Sequence, residues 1–262
     1  NMPICKLLGG VQRDKVRAYG STLMPYTPQE AAEEGLRWKE QGFSAVKMGW
    51  GGFELPQSEC VKLVEATRNA IGDDMDMMLD IGFIPSGDFN VTAASRLLLI
   101  NEIREFKPYW IEEAVYPDDY EGYKMLVEST DVRIAGGENE TTRYGFKQLI
   151  EVCKLDILQP DITRCGGLTE AKRIGAMATA HNTTVIPHAW SSGIVIAASL
   201  HFIATQSNSN LLEYCVWDTP IRKEMLKQDF KLRDGYVDVP MGPGLGIEID
   251  DEAIQKYRCD II

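Results

Sequence analysis

Residues 155–188 read LDILQPDITRCGGLTEAKRIGAMATAHNTTVIPH, and this stretch decides the fold. Ile157–Gln159 has the pattern of a short buried strand, Leu168–His181 has the pattern of a helix, and Thr184–Pro187 predicts a second strand. A strand, a helix and another strand in succession predict a parallel pair joined by a right-handed crossover.

The same unit recurs along most of the chain. The eight predicted strands are Val16–Ser21, Ser44–Met48, Met75–Leu79, Trp110–Glu112, Val132–Gly136, Ile157–Gln159, Thr184–Pro187 and Asn210–Glu213. A capping box, Thr27-Pro28-Gln29-Glu30, starts the first helix, which ends near Gln41-Gly42. The other predicted helices are Gln57–Ile71, Val91–Phe106, Tyr120–Ser129, Arg143–Cys153, Leu168–His181 and Ser192–Thr205.

Eight alternating strands and helices favour a closed α/β barrel of the TIM type, which typically needs ~250 residues. A doubly wound open sheet is the alternative, and it would carry a glycine-rich phosphate-binding turn after its first strand. Gly49-Trp50-Gly51-Gly52 follows the second strand instead, and it matches neither a dinucleotide fingerprint nor a P-loop.

The pattern changes after Trp217. Pro220–Phe230 predicts a short helix, Lys231–Pro240 a small hairpin turning at Asp234-Gly235, and Asp250–Tyr257 a last helix. We therefore expect two parts: residues 1–217 form the barrel with its opening segment, and residues 218–262 form an extension that packs on it.

Composition excludes several classes of protein. The net charge of -12 argues against a surface for nucleic acid or for an anionic membrane, and 44% hydrophobic residues provide for a sizeable core. Six scattered cysteines without a CxxC pair favour reduced thiols and a cytoplasmic location. No apolar stretch reaches the ~20 residues that span a bilayer, and no signal peptide is expected. Since the chain opens at Asn1 rather than Met, it is expected to be a segment of something longer.

Acidic or histidine residues end six consecutive predicted strands, at intervals of 23 to 32 residues: Asp80, Glu112, Glu138, Asp161, His188 and Glu213. In a barrel, the C-terminal strand ends face one shared pocket. The first three are carboxylates, which suit a single Mg²⁺, a hard cation that prefers oxygen ligands. Cysteine and further histidine ligands, which would favour zinc, are absent from these strand ends.

The other strand ends suggest catalytic groups. Asp161 next to His188 would fix the imidazole tautomer and raise its basicity, as a general acid or base requires. Lys47 ends the second strand, where it could pair with a substrate carboxylate or act as a base after desolvation. Glu213 could donate a hydrogen bond if its pKa is raised, or it could anchor a loop. His181 and His201 lie in helical stretches and are expected to be structural.

Together these residues resemble the enolase superfamily, and within it the mandelate racemase subgroup. The motifs that carry the resemblance are Trp110-Ile111-Glu112-Glu113, Gly137-Glu138-Asn139, Gln159-Pro160-Asp161 with Gly166-Gly167, Pro187-His188 and Leu212-Glu213. The opening, Leu7-Leu8-Gly9-Gly10 followed by Val16-Arg17-Ala18-Tyr19, also looks like that family's approach to its barrel.

The resemblance implies a (β/α)₇β barrel with Mg²⁺ held by Asp80, Glu112 and Glu138. It also implies that His188, oriented by Asp161, exchanges a proton with the carbon next to a substrate carboxylate. Members of the family carry an N-terminal α+β capping domain over the site, which we expect to be absent from this chain.

Departures from the family pattern reduce the number of reactions that the resemblance implies. Racemases of the family carry a second lysine on the second strand, where this chain has Gly49, and the usual Asp-x-Asn is here Asp80-Ile81-Gly82. The cycloisomerases that act on muconate place a lysine where Asp161 stands. A single His188–Asp161 pair favours β-elimination over racemisation, so we expect an acid-sugar dehydratase that makes a 2-keto-3-deoxy acid.

The alternatives are a racemase, an epimerase or a sugar-lactone cycloisomerase that forms the same enolate. A Schiff-base aldolase using Lys47 and a non-catalytic or incomplete barrel are less favoured. The expected partner is a small sugar acid, and a homo-oligomer is expected for a barrel of this kind. Three tryptophans in rim loops, Trp50, Trp190 and Trp217, could line the pocket.

Overall fold

Residues 1–82 and 91–259 are described by the computed structural model of this chain. Eight parallel strands form one sheet in which β8 pairs with β1 and the order then runs from β1 to β7. A hydrogen bond of 2.9 Å from Val185 N to Asn208 O joins β7 to the segment before β8 and closes the barrel. The strands are β1 Lys15–Leu23, β2 Ala45–Gly49, β3 Asp76–Asp80, β4 Trp110–Glu112, β5 Ile134–Gly136, β6 Ile157–Leu158, β7 Thr184–Val185 and β8 Leu211–Cys215.

A helix precedes β1, and a helix follows each of the first seven strands. Within the described ranges this arrangement confirms the predicted (β/α)₇β barrel. The helices are α1 Ile4–Leu7, α2 Pro28–Glu40, α3 Gln57–Ile71, α4 Ala93–Ile103, α5 Tyr120–Ser129, α6 Thr142–Glu151, α7 Gly167–Ala180 and α8 Gly193–Ile203. None of the helices in these ranges is both long and apolar enough to cross a membrane.

Predicted and observed bounds differ by one to three residues at several elements. The predicted strands Ile157–Gln159 and Thr184–Pro187 each shorten to two residues. Gln159 N and Ile186 N still donate to the neighbouring strands, and Pro160 and Pro187, which have no N–H, come directly after them. The helix predicted over Val91–Phe106 ends as a 3₁₀ turn after α4, from Arg104 to Phe106.

The barrel interior explains why the strand ends are polar. One inner layer is apolar and buried, and it takes one residue from each strand or the residue just after it: Tyr19, Ala45, Met78, Trp110, Ala135, Ile157, Ile186 and Leu211. Side chains alternate along a strand, so the residue two positions further on points into the barrel again. In seven of the eight cases that residue is polar or charged: Ser21, Lys47, Asp80, Glu112, Gln159, His188 and Glu213. The polar layer therefore sits directly above the apolar one, at the C-terminal end.

The last part of the chain adds two helices and a hairpin: α9 Pro220–Glu224, β9 Leu232–Arg233, β10 Tyr236–Asp238 and α10 Asp251–Tyr257. The hairpin turns at Asp234-Gly235 as predicted, while α9 is shorter than the helix expected over Pro220–Phe230. β10 pairs antiparallel with Lys15–Arg17 of β1, at the barrel end opposite the polar layer. Because hairpin and barrel share one sheet, the division at residue 217 stays a prediction.

Candidate active site

Three carboxylates from neighbouring strands converge at the C-terminal end of the barrel. One oxygen each from Asp80, Glu112 and Glu138 lies within 4.8 Å of the others. Burial and the nearby Glu112 raise the pKa of Asp80, while burial raises the pKa of Glu138 against the opposing effect of His188. In both cases burial is the largest cause, and the negative charge of Glu112 adds to it. A hard divalent cation fits this donor set, since it prefers carboxylate oxygens and relieves their repulsion.

Side chains from its own strand, from β2 and from the end of β6 fix the position of Glu112. Its Oε2 accepts hydrogen bonds from Trp110 Nε1 at 3.0 Å and from Gln159 Nε2 at 2.6 Å. Its Oε1 is 2.5 Å from Lys47 Nζ. Oε2 is thus held by neutral donors, and Oε1 is paired with the ammonium group of Lys47.

Lys47 is a buried cation between acids. Its Nζ lies 2.9 Å from Glu213 Oε1 and 4.0 Å from Asp80 Oδ2, besides its contact with Glu112. Burial lowers the pKa of Lys47, but Glu112 and Glu213 outweigh it and raise the pKa well above its usual value. The ammonium form therefore dominates, which argues against Lys47 as a base or as a Schiff-base amine and favours pairing with an anion.

Glu213 accepts hydrogen bonds from three groups. These donors are Ser21 Oγ at 2.8 Å, Lys47 Nζ at 2.9 Å, and Ala189 N at 2.6 Å in the loop that follows β7. Burial alone would raise the pKa of Glu213, but Lys47 and His188 lower it to about 2. Donation of a hydrogen bond would need a raised pKa, so the geometry favours the alternative in which Glu213 anchors a loop.

His188 and Asp161 form the expected pair. His188 Nδ1 is 2.8 Å from Asp161 Oδ2, and His188 Nε2 is 3.3 Å from Glu138 Oε2. Thr163 donates to Asp161 Oδ1 from both its backbone N and its hydroxyl, at 2.7 and 2.5 Å. Burial would lower the pKa of His188, but Glu213, Asp161 and Glu138 raise it to about 9. The ring is oriented through Nδ1, with Nε2 turned toward the carboxylate cluster.

Two glycines shape the cluster, Gly49 at the end of β2 and Gly82 after β3. A Cβ at Gly49 would lie 2.6 Å from Asp80 Cβ, so this position cannot take a side chain without a shift. Gly82 N donates to Asp80 Oδ1 at 3.0 Å, and there a backbone group holds the carboxylate.

A cavity of about 160 Å³ opens above these groups. Trp50 and Trp190 line it, as does Arg164. Trp217 is not among the described residues that line it and is 46% exposed, so only two of the three rim tryptophans match the expectation.

Several residues of the site were not identified from the sequence. Ser21 and Thr163 act through hydrogen bonds to strand-end acids, and a lone serine or threonine gives no pattern that would reveal this. Glu113 is buried beside Glu112, and its carboxylate accepts a hydrogen bond from Gly137 N at 2.8 Å. Burial and Glu138 raise the pKa of Glu113 to about 8. In the sequence, Glu113 was marked only by its position next to Glu112, a predicted metal ligand.

The two other histidines lie away from the site. His201 is buried in α8, where its Nδ1 accepts a hydrogen bond from Cys5 N at 3.2 Å. His181 is exposed at the end of α7. Both positions agree with a structural role.

Comparison with known proteins places this geometry in a family. The family described as Enolase C-terminal domain-like matches residues 30–253. The chain is 33% identical to the D-galactarolactone cycloisomerase of Agrobacterium fabrum, over 97% of this chain and 68% of that protein. It is 30% identical to the D-xylonate dehydratase of Haloferax volcanii, over 99% of this chain and 66% of that protein.

Solved structures agree with the curated relatives. The 3,6-anhydro-D-galactonate cycloisomerase from Zobellia galactanivorans superposes with a TM-score of 0.88 at 35% identity, covering 98% of this chain and 70% of that one. The chain thus spans about two thirds of the length of the relatives it matches, and these relatives include both dehydratases and cycloisomerases.

Proposed function

The chain belongs to the mandelate racemase and enolase superfamily, and on that premise we propose that it is an acid-sugar dehydratase. The proposed reaction removes the proton next to a substrate carboxylate and then the β-hydroxyl, as water. The enol product becomes a 2-keto-3-deoxy acid. The observation that carries the proposal is one oriented imidazole, His188, facing a carboxylate cluster that suits a divalent cation.

His188 takes the proton in its neutral form. Glu213, Asp161 and Glu138 raise its pKa to about 9, and a cation held by Glu138 would offset part of that negative charge and so favour the neutral ring. Asp161 holds Nδ1, so the Nε2 side of the ring is the side that meets the carbon acid. A base must come within hydrogen-bond reach of the proton it removes, and the cavity wall formed in part by His188 provides that approach.

The substrate carboxylate gains charge as the proton leaves. Asp80, Glu112 and Glu138 would hold Mg²⁺, which when bound supplies positive charge to the enolate oxygens. Lys47 lines the same cavity and stays protonated, so it adds a second positive charge near the carboxylate. Glu213 keeps that ammonium group in place.

Elimination is favoured over racemisation because Gly49 provides no second acid or base. Racemisation needs an acid or base on each face of the enolate, and Gly49 has no side chain and no room for one. With one base, the proton that His188 has taken can be returned to the departing β-hydroxyl in a syn elimination.

Ring opening is the second candidate, because two of the matched relatives carry the name cycloisomerase. It begins with the same proton abstraction, but the leaving oxygen belongs to a ring. An aldolase reaction at Lys47 is disfavoured by the ion pairs that keep Lys47 protonated. An incomplete, non-catalytic barrel is disfavoured by the assembled cluster.

The experiment incubates the full chain and Mg²⁺ with a panel of sugar acids and sugar-acid lactones and measures 2-keto-3-deoxy product. We expect turnover that EDTA abolishes. General acid–base catalysis typically contributes 10²- to 10⁴-fold, so His188→Asn should lower kcat by roughly that factor or more. Glu138→Gln should lower both the rate and Mg²⁺ affinity.

His181→Asn is the matched control, because it removes an exposed imidazole outside the site. It should leave turnover unchanged. Turnover that survives both EDTA and His188→Asn would rule out the proposed mechanism. If only the lactones give product, the protein is a cycloisomerase rather than a dehydratase.

A further inference from the structure

Arg164 lines the cavity together with Lys47. It follows β6 in the short loop that also holds Asp161, and its backbone N donates to Asp161 O at 3.0 Å. Its guanidinium Nη1 donates to Asn139 Oδ1 at 2.7 Å. Across the described ranges, no carboxylate oxygen lies within 4.0 Å of this guanidinium.

Lys47 and Arg164 differ in what they are free to bind. Lys47 is buried and paired with Glu112 and Glu213, whereas Arg164 is exposed at the mouth and uses a neutral amide as its partner. Guanidinium has five donors in a planar fork, so most of its hydrogen-bonding capacity remains for a ligand. A carboxylate is the group that such a fork binds with two parallel hydrogen bonds.

Asn139 ties Arg164 to the carboxylate cluster. Its Oδ1 accepts from Arg164, and its Nδ2 donates to Glu138 Oε1 at 3.3 Å. The guanidinium is therefore held at a defined place relative to Glu138, one side chain away from the cluster. A ligand whose first carboxylate lies at Lys47 and the cluster can extend toward the mouth and meet Arg164 there.

We propose that Arg164 selects acid sugars that carry a second carboxylate at the far end, that is, dicarboxylic sugar acids or their lactones. The inference rests on the proposed function, because it assumes that the reacting carboxylate lies at the metal end. Arg164 is a specificity residue in this account and takes no part in proton transfer.

Binding of two unreactive probes tests the proposal without turnover. Adipate has a carboxylate at each end of six carbons, while hexanoate has the same length and only one. Calorimetry on the full chain with Mg²⁺ should show tighter binding of adipate. Hydrogen bonds to charged groups contribute about 1.5–3 kcal/mol, so Arg164→Met should weaken adipate by roughly 10- to 100-fold and leave hexanoate unchanged.

Two further variants sharpen the test. Arg164→Lys keeps the charge but loses the fork, so it should recover only part of the adipate affinity. Arg173→Gln removes a charge from the outer face of α7, where Arg173 pairs with Glu170, and it should leave both probes unaffected. Equal binding of adipate and hexanoate to the unmodified chain, or a preference that Arg164→Met preserves, would overturn the proposal.

Exchange of the α-proton separates this inference from the function it rests on. If Arg164→Met still exchanges the α-proton of a sugar acid with solvent but no longer prefers diacids, both proposals stand. If Arg164→Met exchanges the α-proton and keeps the preference for diacids, only the role of Arg164 is refuted. If the unmodified chain shows no exchange, the proposed function is refuted.

Discussion

Replacing Lys47 with Met removes the ammonium group that pairs with both Glu112 and Glu213. All three side chains are almost completely buried, and the two contacts measure 2.5 and 2.9 Å. Removing one partner of a buried ion pair leaves uncompensated charge and typically costs about 3–5 kcal/mol. We therefore expect Lys47→Met to lower the free energy of unfolding by about that amount in the absence of divalent cation.

Two companion measurements show whether charge is the cause. The double variant Lys47→Met/Glu213→Gln also removes one of the two carboxylates that Lys47→Met leaves unpaired. Its loss of unfolding free energy should therefore be at least about 1 kcal/mol smaller than the sum of the losses in the two single variants. Mg²⁺ should recover further stability, since a bound cation restores positive charge beside Glu112 and binds only the folded chain.

Urea unfolding followed by tryptophan fluorescence measures these free energies, with and without Mg²⁺. A loss below about 1 kcal/mol for Lys47→Met, with no coupling in the double variant, would refute the reasoning. That result would mean that the cluster is solvated in solution and that Lys47 is not the buried counterion described above.

Three smaller predictions concern the supports of the site and one ion pair outside it. Gln159→Leu removes the 2.6 Å hydrogen bond to Glu112 and should weaken Mg²⁺ binding by roughly 10- to 100-fold in calorimetry, as losses of groups that orient metal ligands typically do. Gly49→Ala places a Cβ 2.6 Å from Asp80 Cβ and should cost about 1–3 kcal/mol in urea unfolding, because the core has no space for it. Hydrogen bonds from arginines lower the pKa of Glu170 to about 2, so it stabilises the fold above its ordinary pKa of 4.5 and that contribution is lost as the pH falls toward 2. The stability gap between Glu170→Gln and the unmodified chain should shrink over that pH range.

Matched controls keep these predictions specific. Gln29→Leu changes an exposed glutamine on α2 and should leave Mg²⁺ affinity alone. Gly20→Ala meets its nearest atom at 3.5 Å, an ordinary contact, and should cost less than Gly49→Ala. Glu65→Gln removes an exposed acid from α3 and is the surface-charge control for Glu170→Gln. Mg²⁺ affinity unchanged by Gln159→Leu, or a Glu170→Gln gap that is constant with pH, would contradict the corresponding argument.

The sequence predicted the positions of the strand ends well, because that pattern is local. Each strand alternates between inward and outward residues, so Met78 in the apolar layer and Asp80 above it follow from one short stretch. Proline is local too, yet its effect on Ile157–Gln159 and Thr184–Pro187 was underestimated. The backbone donors continue through Gln159 and Ile186 and stop at Pro160 and Pro187, which have no N–H.

The hydrogen bonds that hold the strand-end acids in place could not be predicted from the sequence. Gln159 holds Glu112 across β5, and Ser21 holds Glu213 from the neighbouring strand, but no spacing in the sequence relates them. The ionisation state of Glu213 could not be predicted either, because it depends on a residue distant in the sequence. It depends on Lys47, which lies far away in the chain and 2.9 Å away in space.

The central claim is that His188 removes the proton next to a substrate carboxylate, and exchange of that proton with solvent tests it most directly. The full chain would be incubated with Mg²⁺ and a sugar acid in D₂O, and deuterium at the α-carbon would be followed by NMR and mass spectrometry. We expect incorporation of solvent deuterium at that carbon, or into the product after ketonisation, and we expect His188→Asn and EDTA to abolish both. Product or exchange at an undiminished rate in His188→Asn would contradict the account.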